Sequence, residues 1–218
     1  MGQTNGSGTD VSVVLPVYNA GEYLRECLDP LLNQELGGYT FVIVAVDDGS
    51  TDGSGELLDS YAARHAVLTV VHQENSGGPG KPRNVGIERA TGRYIFFCDA
   101  DDYLGQESLR RLVAFADEHG SDLVIPKLVG AEGRWIRRSI YRETQVDADL
   151  FRASQSSGPT KLFRRSVIEA NALRFPEGRV PAEDTIFLFR MFTVARRVSI
   201  LADYDYYFVR LRADAASL

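Results

Sequence analysis

The run Asp99-Ala100-Asp101-Asp102 sets three carboxylates directly after the apolar segment Tyr94 to Cys98. No Lys or Arg lies beside them in sequence, and carboxylates crowded in this way repel one another unless a cation intervenes. Oxygen-only donors suit Mg2+ or Mn2+, and Mg2+ in particular is usually held by one or two carboxylates together with substrate phosphates. A bound diphosphate would then complete the shell. The competing reading is a solvated turn in which Asp102 caps the helix running through Leu109.

A second acidic turn, Val46-Asp47-Asp48-Gly49-Ser50-Thr51-Asp52-Gly53, follows another apolar run. Helix capping accounts for Ser50, Thr51 or Asp52, but Asp47 and Asp48 sit at a strand end, where a base or ribose can donate hydrogen bonds to them. The first apolar run ends in Pro16-Val17-Tyr18-Asn19, where Tyr18 either stacks on a flat base or packs in the core. Asn75 to Asn84 is glycine-rich, and its glycines would let backbone approach a ligand while Lys81 or Arg83 at a helix start meets a pyrophosphate; a plain surface loop is the alternative. Ala182-Glu183-Asp184 opens an apolar-rich helix, where a carboxylate serves either as a general base or as a complement to the helix dipole. Neither a G-x-G-x-x-G fingerprint nor a Walker A lysine motif is present.

The elements that must hold these residues follow from the hydrophobic pattern. Val11 to Val17, Phe41 to Val46 and Tyr94 to Cys98 are short apolar runs ending in polar turns, as buried parallel strands are. Between them Leu24, Leu28, Leu31 and Leu32, then Leu57, Leu58, Tyr61 and Ala62, and later Leu109, Leu112, Val113 and Ala116 recur at helical spacing. Such alternation predicts an α/β fold, an open, doubly wound, mostly parallel sheet flanked by helices, with ligands at the carboxyl ends of the strands. From Asp122 the pattern loosens, until a helix over Glu183 to Ala195 and a Tyr-rich strand around Tyr206 to Val209. We expect a disordered tail over 1–10 and one domain over 11–218, with 11–120 the nucleotide-binding half and 121–218 the acceptor-side half.

The chain of 218 residues carries a net charge of -6, split into -9 over residues 1–110 and +3 over the rest. The basic second half either attracts an anionic acceptor or merely solvates helix faces, and nothing calls for a nucleic-acid partner. No apolar run approaches the roughly 20 residues of a membrane span. Cys27 and Cys98 fall in a helix and a buried strand, as free core cysteines of a reducing compartment do. A cytoplasmic protein is expected, with peripheral association at the inner face of a membrane left open, as is the oligomeric state.

Taken in order, Pro16-Val17-Tyr18-Asn19, Val46-Asp47-Asp48-Gly49-Ser50-Thr51-Asp52, Pro82-Arg83-Asn84, Asp99-Ala100-Asp101-Asp102 and Ala182-Glu183-Asp184 resemble the family 2 glycosyltransferases of GT-A fold. With Gly77-Gly78-Pro79-Gly80 and Pro159-Thr160-Lys161-Leu162-Phe163-Arg164, the chain looks most like the bacterial wall teichoic acid glycosyltransferases of that family. The resemblance implies a UDP-sugar donor, UDP-GlcNAc or another UDP-hexose, and a hydroxyl acceptor such as a polyol-phosphate polymer or another anionic glycan. It further implies that Pro16, Val17 and Tyr18 wall the uridine, Asp48 bonds the uracil edge and Arg83 faces the diphosphate or sugar. In the Asp99-Ala100-Asp101 stretch, Asp99 would hold ribose or sugar hydroxyls and Asp101 would ligate Mn2+ or Mg2+. Asp184 would be the catalytic base of an inverting transfer, with Glu183 supporting it.

The chain departs from other members in having no Q-x-x-R-W motif, which disfavours a processive synthase. It also has no histidine after His119, so pyrophosphate and water must finish the metal shell. Two rival functions are a sugar nucleotidyltransferase, which usually opens with a Gly-rich basic loop after its first strand, and a non-catalytic nucleotide-sugar-binding module.

Overall fold

The computed structural model describes residues 8–211. Its strands are β1 (Val11–Val17), β2 (Phe41–Asp47), β3 (Leu68–His72), β4 (Tyr94–Phe97), β5 (Tyr103–Leu104), β6 (Leu123–Pro126), β7 (Leu128–Gly130), β8 (Leu162–Arg164), β9 (Val198–Leu201) and β10 (Tyr207–Val209). Its helices are α1 (Tyr23–Leu32), α2 (Ser54–Ala62), α3 (Gly80–Arg89), α4 (Ser108–His119), α5 (Leu150–Ser154), α6 (Arg165–Ala170) and α7 (Glu183–Val194), with a 3-10 turn over Arg138–Tyr141.

Seven strands form one sheet in the order β3-β2-β1-β4-β8-β6-β9. Only β8 runs against its neighbours, pairing antiparallel with both β4 and β6, so the sheet is mostly parallel. Strands β8, β6 and β9 of the second half complete the sheet that the first half begins.

Period-two alternation sends Val13, Leu15 and Phe96 to one face and Val14, Ile95 and Phe97 to the other. The first face packs on Leu24, Leu28 and Leu31 of α1, Leu58 of α2 and Leu109, Leu112 and Val113 of α4. The second packs on Ile87 of α3, Ile168 of α6 and Phe187, Leu188 and Met191 of α7. Both expected cysteines are buried and unbridged.

Chain order reverses beside β1: β2 and β3 build outward on one side, and β4 lies on the other. Pairing between β1 and β4 ends at Val14 with Phe97, whereas pairing with β2 continues to Val17 and Asp47. Pro16, which has no N–H to give, therefore sits where β4 asks for none. Beyond Val14 the strands part, opening a crevice at the switch point of the kind that binds ligands in doubly wound sheets.

Several boundaries differ from the sequence reading. Residues 1–7 of the expected tail lie outside the described residues, but Thr9 and Asp10 are structured: the Thr9 carbonyl accepts from Arg93 N–H at 3.1 Å and that of Asp10 from Tyr94 N–H at 2.9 Å. The glycine-rich stretch Asn75 to Asn84 is already helical from Gly80, and Pro82 is tolerated there because in the first turn it has no N–H to leave unsatisfied. Asp102 caps no helix; it precedes β5, and α4 starts only at Ser108.

A second, three-stranded sheet, β5-β10-β7, stands beside the crevice. Stacked rings of Tyr103 and Phe208, 4.7 Å between centroids, fix β10 on β5.

Candidate active site

Tyr18, Asp48 and Asp99 to Asp102 leave the carboxyl ends of β1, β2 and β4, and Glu183 and Asp184 open α7. The centre of the arrangement is Arg83. Its Nη1 donates to Glu183 at 2.8 Å and its Nη2 to Asp99 at 3.0 Å, with the guanidinium almost fully buried. Burial works against that charge, but Asp99 and Glu183 outweigh it and hold the group above its ordinary value. The guanidinium also lies over the Phe175 ring, 5.4 Å from its centroid. Arg83 is thus committed to two carboxylates, and its Nε is buried without a hydrogen-bond partner among the described residues.

The sequence showed no cation beside the 99–102 turn, but one reaches it from α3. Asp99 pairs with Arg83, and Asp102 turns inward, accepting the Arg210 backbone N–H at 2.8 Å. Burial and the field of Asp99 push the Asp102 carboxyl up to about 8. Tyr207, reaching in from β10, accepts the Asp99 backbone N–H at 2.9 Å and braces the turn from behind. Asp101, half-buried, stands at the turn itself.

Asp48 is buried, and its carboxylate accepts from Gln73 at 2.5 Å and from the Ser76 hydroxyl at 2.9 Å and backbone N–H at 3.1 Å. A carboxylate offers about four acceptor positions, so room remains for one further donor such as an imide N–H. Asp47 faces away: it takes Ser50 N–H at 3.0 Å and meets His72 Nδ1 at 2.9 Å. Tyr18 is 43% exposed, which removes core packing as its role. The loop that bears it is locked, since Ser50 Oγ accepts from Asn19 N–H and Asn19 Oδ1 from Thr51 N–H.

The glycine-rich loop meets protein where the sequence suggested a phosphate. A Cβ on Gly80 would stand 1.9 Å from the Pro176 carbonyl oxygen, and one on Gly78 2.5 Å from that of Gly178. Asn84 closes this contact, donating to the Phe175 carbonyl and accepting its N–H, both at 2.9 Å. The glycines therefore admit the 175–179 segment, and with it Phe175, to the underside of the site.

Phe175 stacks on Phe187 with centroids 3.9 Å apart, and Phe97 and Phe163 meet that pair edge-on. Phe187 lies one turn beyond Asp184, so this ring cluster anchors the N-terminal turn of α7. Ala182, just before the helix, is held in the left-handed region at φ 57°, a conformation costly for a residue with a side chain and common at functional sites. Asp184 accepts the Thr185 N–H at 2.6 Å.

Sequence reasoning named Lys161 within a resembling motif and Tyr207 within a Tyr-rich strand but gave neither a place in the site; Lys161 is fully buried.

The donor set fits a hard cation. All candidate ligands are oxygens, and no group of three or more His, Cys, Asp or Glu converges on a point among the described residues, so diphosphate and water would supply most of the shell around Asp101. No helix among the described residues is long and apolar enough to cross a membrane.

The Staphylococcus aureus TarS fragment 1–349 in complex with UDP-GlcNAc superposes with a TM-score of 0.90 at 36% identity, over 96% of this chain and 62% of that one. Among curated proteins, the poly(ribitol-phosphate) beta-glucosyltransferase of Bacillus spizizenii is 41% identical over 91% of this chain and 32% of its own length. The S. aureus poly(ribitol-phosphate) beta-N-acetylglucosaminyltransferase TarS is 37% identical over 92% of this chain and 35% of its own. The chain thus spans about a third of the length of these curated relatives. Its fold is that of the GT-A enzymes. The profile of Glycosyl transferase family 2 matches residues 12–172, from β1 through the crevice to α6, and the chain belongs to that family.

Proposed function

We propose that this chain forms the donor-binding and catalytic part of an inverting, metal-dependent glycosyltransferase that moves a hexose, GlcNAc or glucose, from UDP to a hydroxyl of a polyol-phosphate polymer. The observation that carries the reading is the line Asp99–Arg83–Glu183, which ties the strand-end turn bearing Asp101 to the helix start bearing Asp184. A donor seated at the switch point, its uracil edge at Asp48 and its ring against Tyr18, would bring its anomeric carbon between those two carboxylates. The relatives' UDP-GlcNAc complex and their poly(ribitol-phosphate) substrates support the choice of donor and acceptor.

In the step itself the acceptor oxygen attacks the anomeric carbon, the bond from that carbon to the diphosphate breaks, and UDP departs from the opposite face with the bonding electrons. Asp184 receives the hydroxyl proton, and general-base help of this kind contributes about 10²- to 10⁴-fold. Glu183, pinned by Arg83, fixes the first turn of α7 and so the position of its neighbour. Asp101 would hold the divalent cation, which when bound would supply Lewis-acid neutralisation of the departing diphosphate.

Calorimetric titration of UDP-, GDP- and dTDP-sugars with and without Mn2+ tests the reading. Metal-dependent binding of one UDP-sugar that is lost in Asp101→Ala is the expected result. A folded protein that binds none of the panel would refute it.

A further inference from the structure

The acceptor-side half carries a cleft with no part in the mechanism. Strand β8 runs antiparallel to both β4 and β6, with Leu162 opposite Phe96 and Val124. The residues that lead into β8 and those that follow β6 therefore emerge at the same end of the sheet as Asp99 and Asp101. There the segments 135–137, 140–141 and 155–158, with Leu128, line an open cleft of about 370 Å3, a volume typical of small-molecule sites.

The walls are tied to one another. The Tyr141 and Ser156 hydroxyls meet at 3.2 Å, Arg137 Nη1 donates to Gln155 at 3.0 Å, and Arg152 Nε donates to the Ile140 carbonyl at 2.9 Å. The turn that leads in is fixed as well: Ala131 N–H donates to the Val209 carbonyl at 2.8 Å and Arg134 N–H to the Ala131 carbonyl at 2.9 Å. Ile136 then packs against the core, while its neighbour Trp135 lines the cleft with 76% of its surface exposed.

Charge gathers at the same place. Arg134, Arg137, Arg138 and Arg142 are all exposed, and none is ion-paired with a carboxylate among the described residues. The acids of this stretch are engaged elsewhere: Glu132 lies 3.3 Å from Arg210, Glu143 3.1 Å from Arg152 and Asp147 2.8 Å from Arg197.

We propose that this cleft is an outer acceptor subsite, in which Trp135 lies against the carbon chain of a polyol-phosphate polymer while the four arginines hold its phosphodiesters. The inference rests on the reading of the acceptor as such a polymer.

A phosphodiester polymer brings one negative charge per repeat, which answers a row of guanidiniums left without carboxylates. The C–H face of a polyol suits the indole plane, and its hydroxyls stay in water. A neutral acceptor would leave the four cations unanswered. A membrane surface favours aromatic rings on a protruding face, whereas Trp135 borders a hollow.

Trp135 is the single Trp of the chain, so its fluorescence reads the cleft directly. The test titrates the protein with ribitol-phosphate oligomers, inorganic polyphosphate and vesicles containing anionic lipid, and follows UDP-sugar binding by calorimetry in parallel. The oligomers should change the Trp135 emission saturably, and more weakly as salt rises from about 0.05 to about 0.3 M. Replacing two cations together, Arg137→Gln with Arg138→Gln, should weaken the oligomer about tenfold and raise its KM in transfer alike, with UDP-sugar affinity kept within about twofold. An emission that ignores the oligomers in a protein that binds a UDP-sugar overturns the proposal. So does a response to polyphosphate as tight as that to the oligomers, or a response to vesicles alone, which would assign the surface to a membrane. A protein that binds no UDP-sugar while Trp135 still reports the oligomers refutes the donor reading instead and leaves the cleft standing.

Discussion

Arg83 and Glu183, one hundred residues apart in sequence, meet at 2.8 Å beneath the crevice. The guanidinium completes its other arm on Asp99, so the beginning of α7 and the end of β4 share a single cation. Breaking a buried pair by deleting one member leaves a charge without compensation.

Arg83→Ala should therefore destabilise the protein by about 3–5 kcal/mol. Glu183→Gln, which keeps the shape and leaves Asp99 on the guanidinium, should cost less. Urea unfolding of both variants checks the order, and equal losses would contradict the shared-cation geometry.

Asp184→Asn should lower kcat by at least about 10²-fold while donor affinity, measured by titration with a UDP-sugar, stays near the wild-type value. A parallel loss of binding would move Asp184 from the reaction to the donor site.

Gly80→Ala places a methyl group 1.9 Å from a backbone oxygen of Pro176, and neither chain can yield without opening the Asn84–Phe175 contact. A loss of about 2–3 kcal/mol is expected. The melting temperature reads the cost, and hydrogen exchange at the Phe175 amide shows whether that contact opens.

His72 offers both ring nitrogens to carboxylates, Asp47 at 2.9 Å and Asp59 at 3.1 Å, a pattern that only the imidazolium satisfies on both sides. The bonds to Asp47 and Asp59 hold it above its ordinary value. A group raised on folding contributes stability below its unfolded pKa and loses it as pH climbs through the folded one. The wild type should thus lose a contribution from about pH 6.5 upward that His72→Gln lacks, worth at most about 1 kcal/mol because the ring is half exposed. Denaturation midpoints at pH 6 and 8.5 compare the two proteins.

What was legible in the sequence is what short-range pattern records. Apolar runs ending in polar turns located β1, β2 and β4, and neighbouring acids exposed Asp99, Asp101, Glu183 and Asp184 to view. Partners distant along the chain were not legible. Nothing near Gly78 or Gly80 reveals that Gly178 and Pro176 press against them, so a protein contact looked like a ligand cradle. The inward turn of Asp102 depends on Arg210, which follows β10, and the compensation of Asp99 comes from Arg83, which the sequence reading had turned toward a diphosphate. The burial of Lys161 is fixed by how β8 inserts, which no local period encodes.

The place of β8 between β4 and β6 also bears on the order of events as the chain leaves the ribosome. β1 to β4 are complete long before Leu162 is made, yet until then β4 keeps one side of its backbone unpaired. A nascent chain halted in that interval presents a bare, apolar strand to its neighbours, the sort of edge on which chains join one another. Dividing the protein near residue 120 should on this account give an amino-terminal piece that aggregates, and supplying the carboxy-terminal piece during refolding should restore solubility by capping that strand.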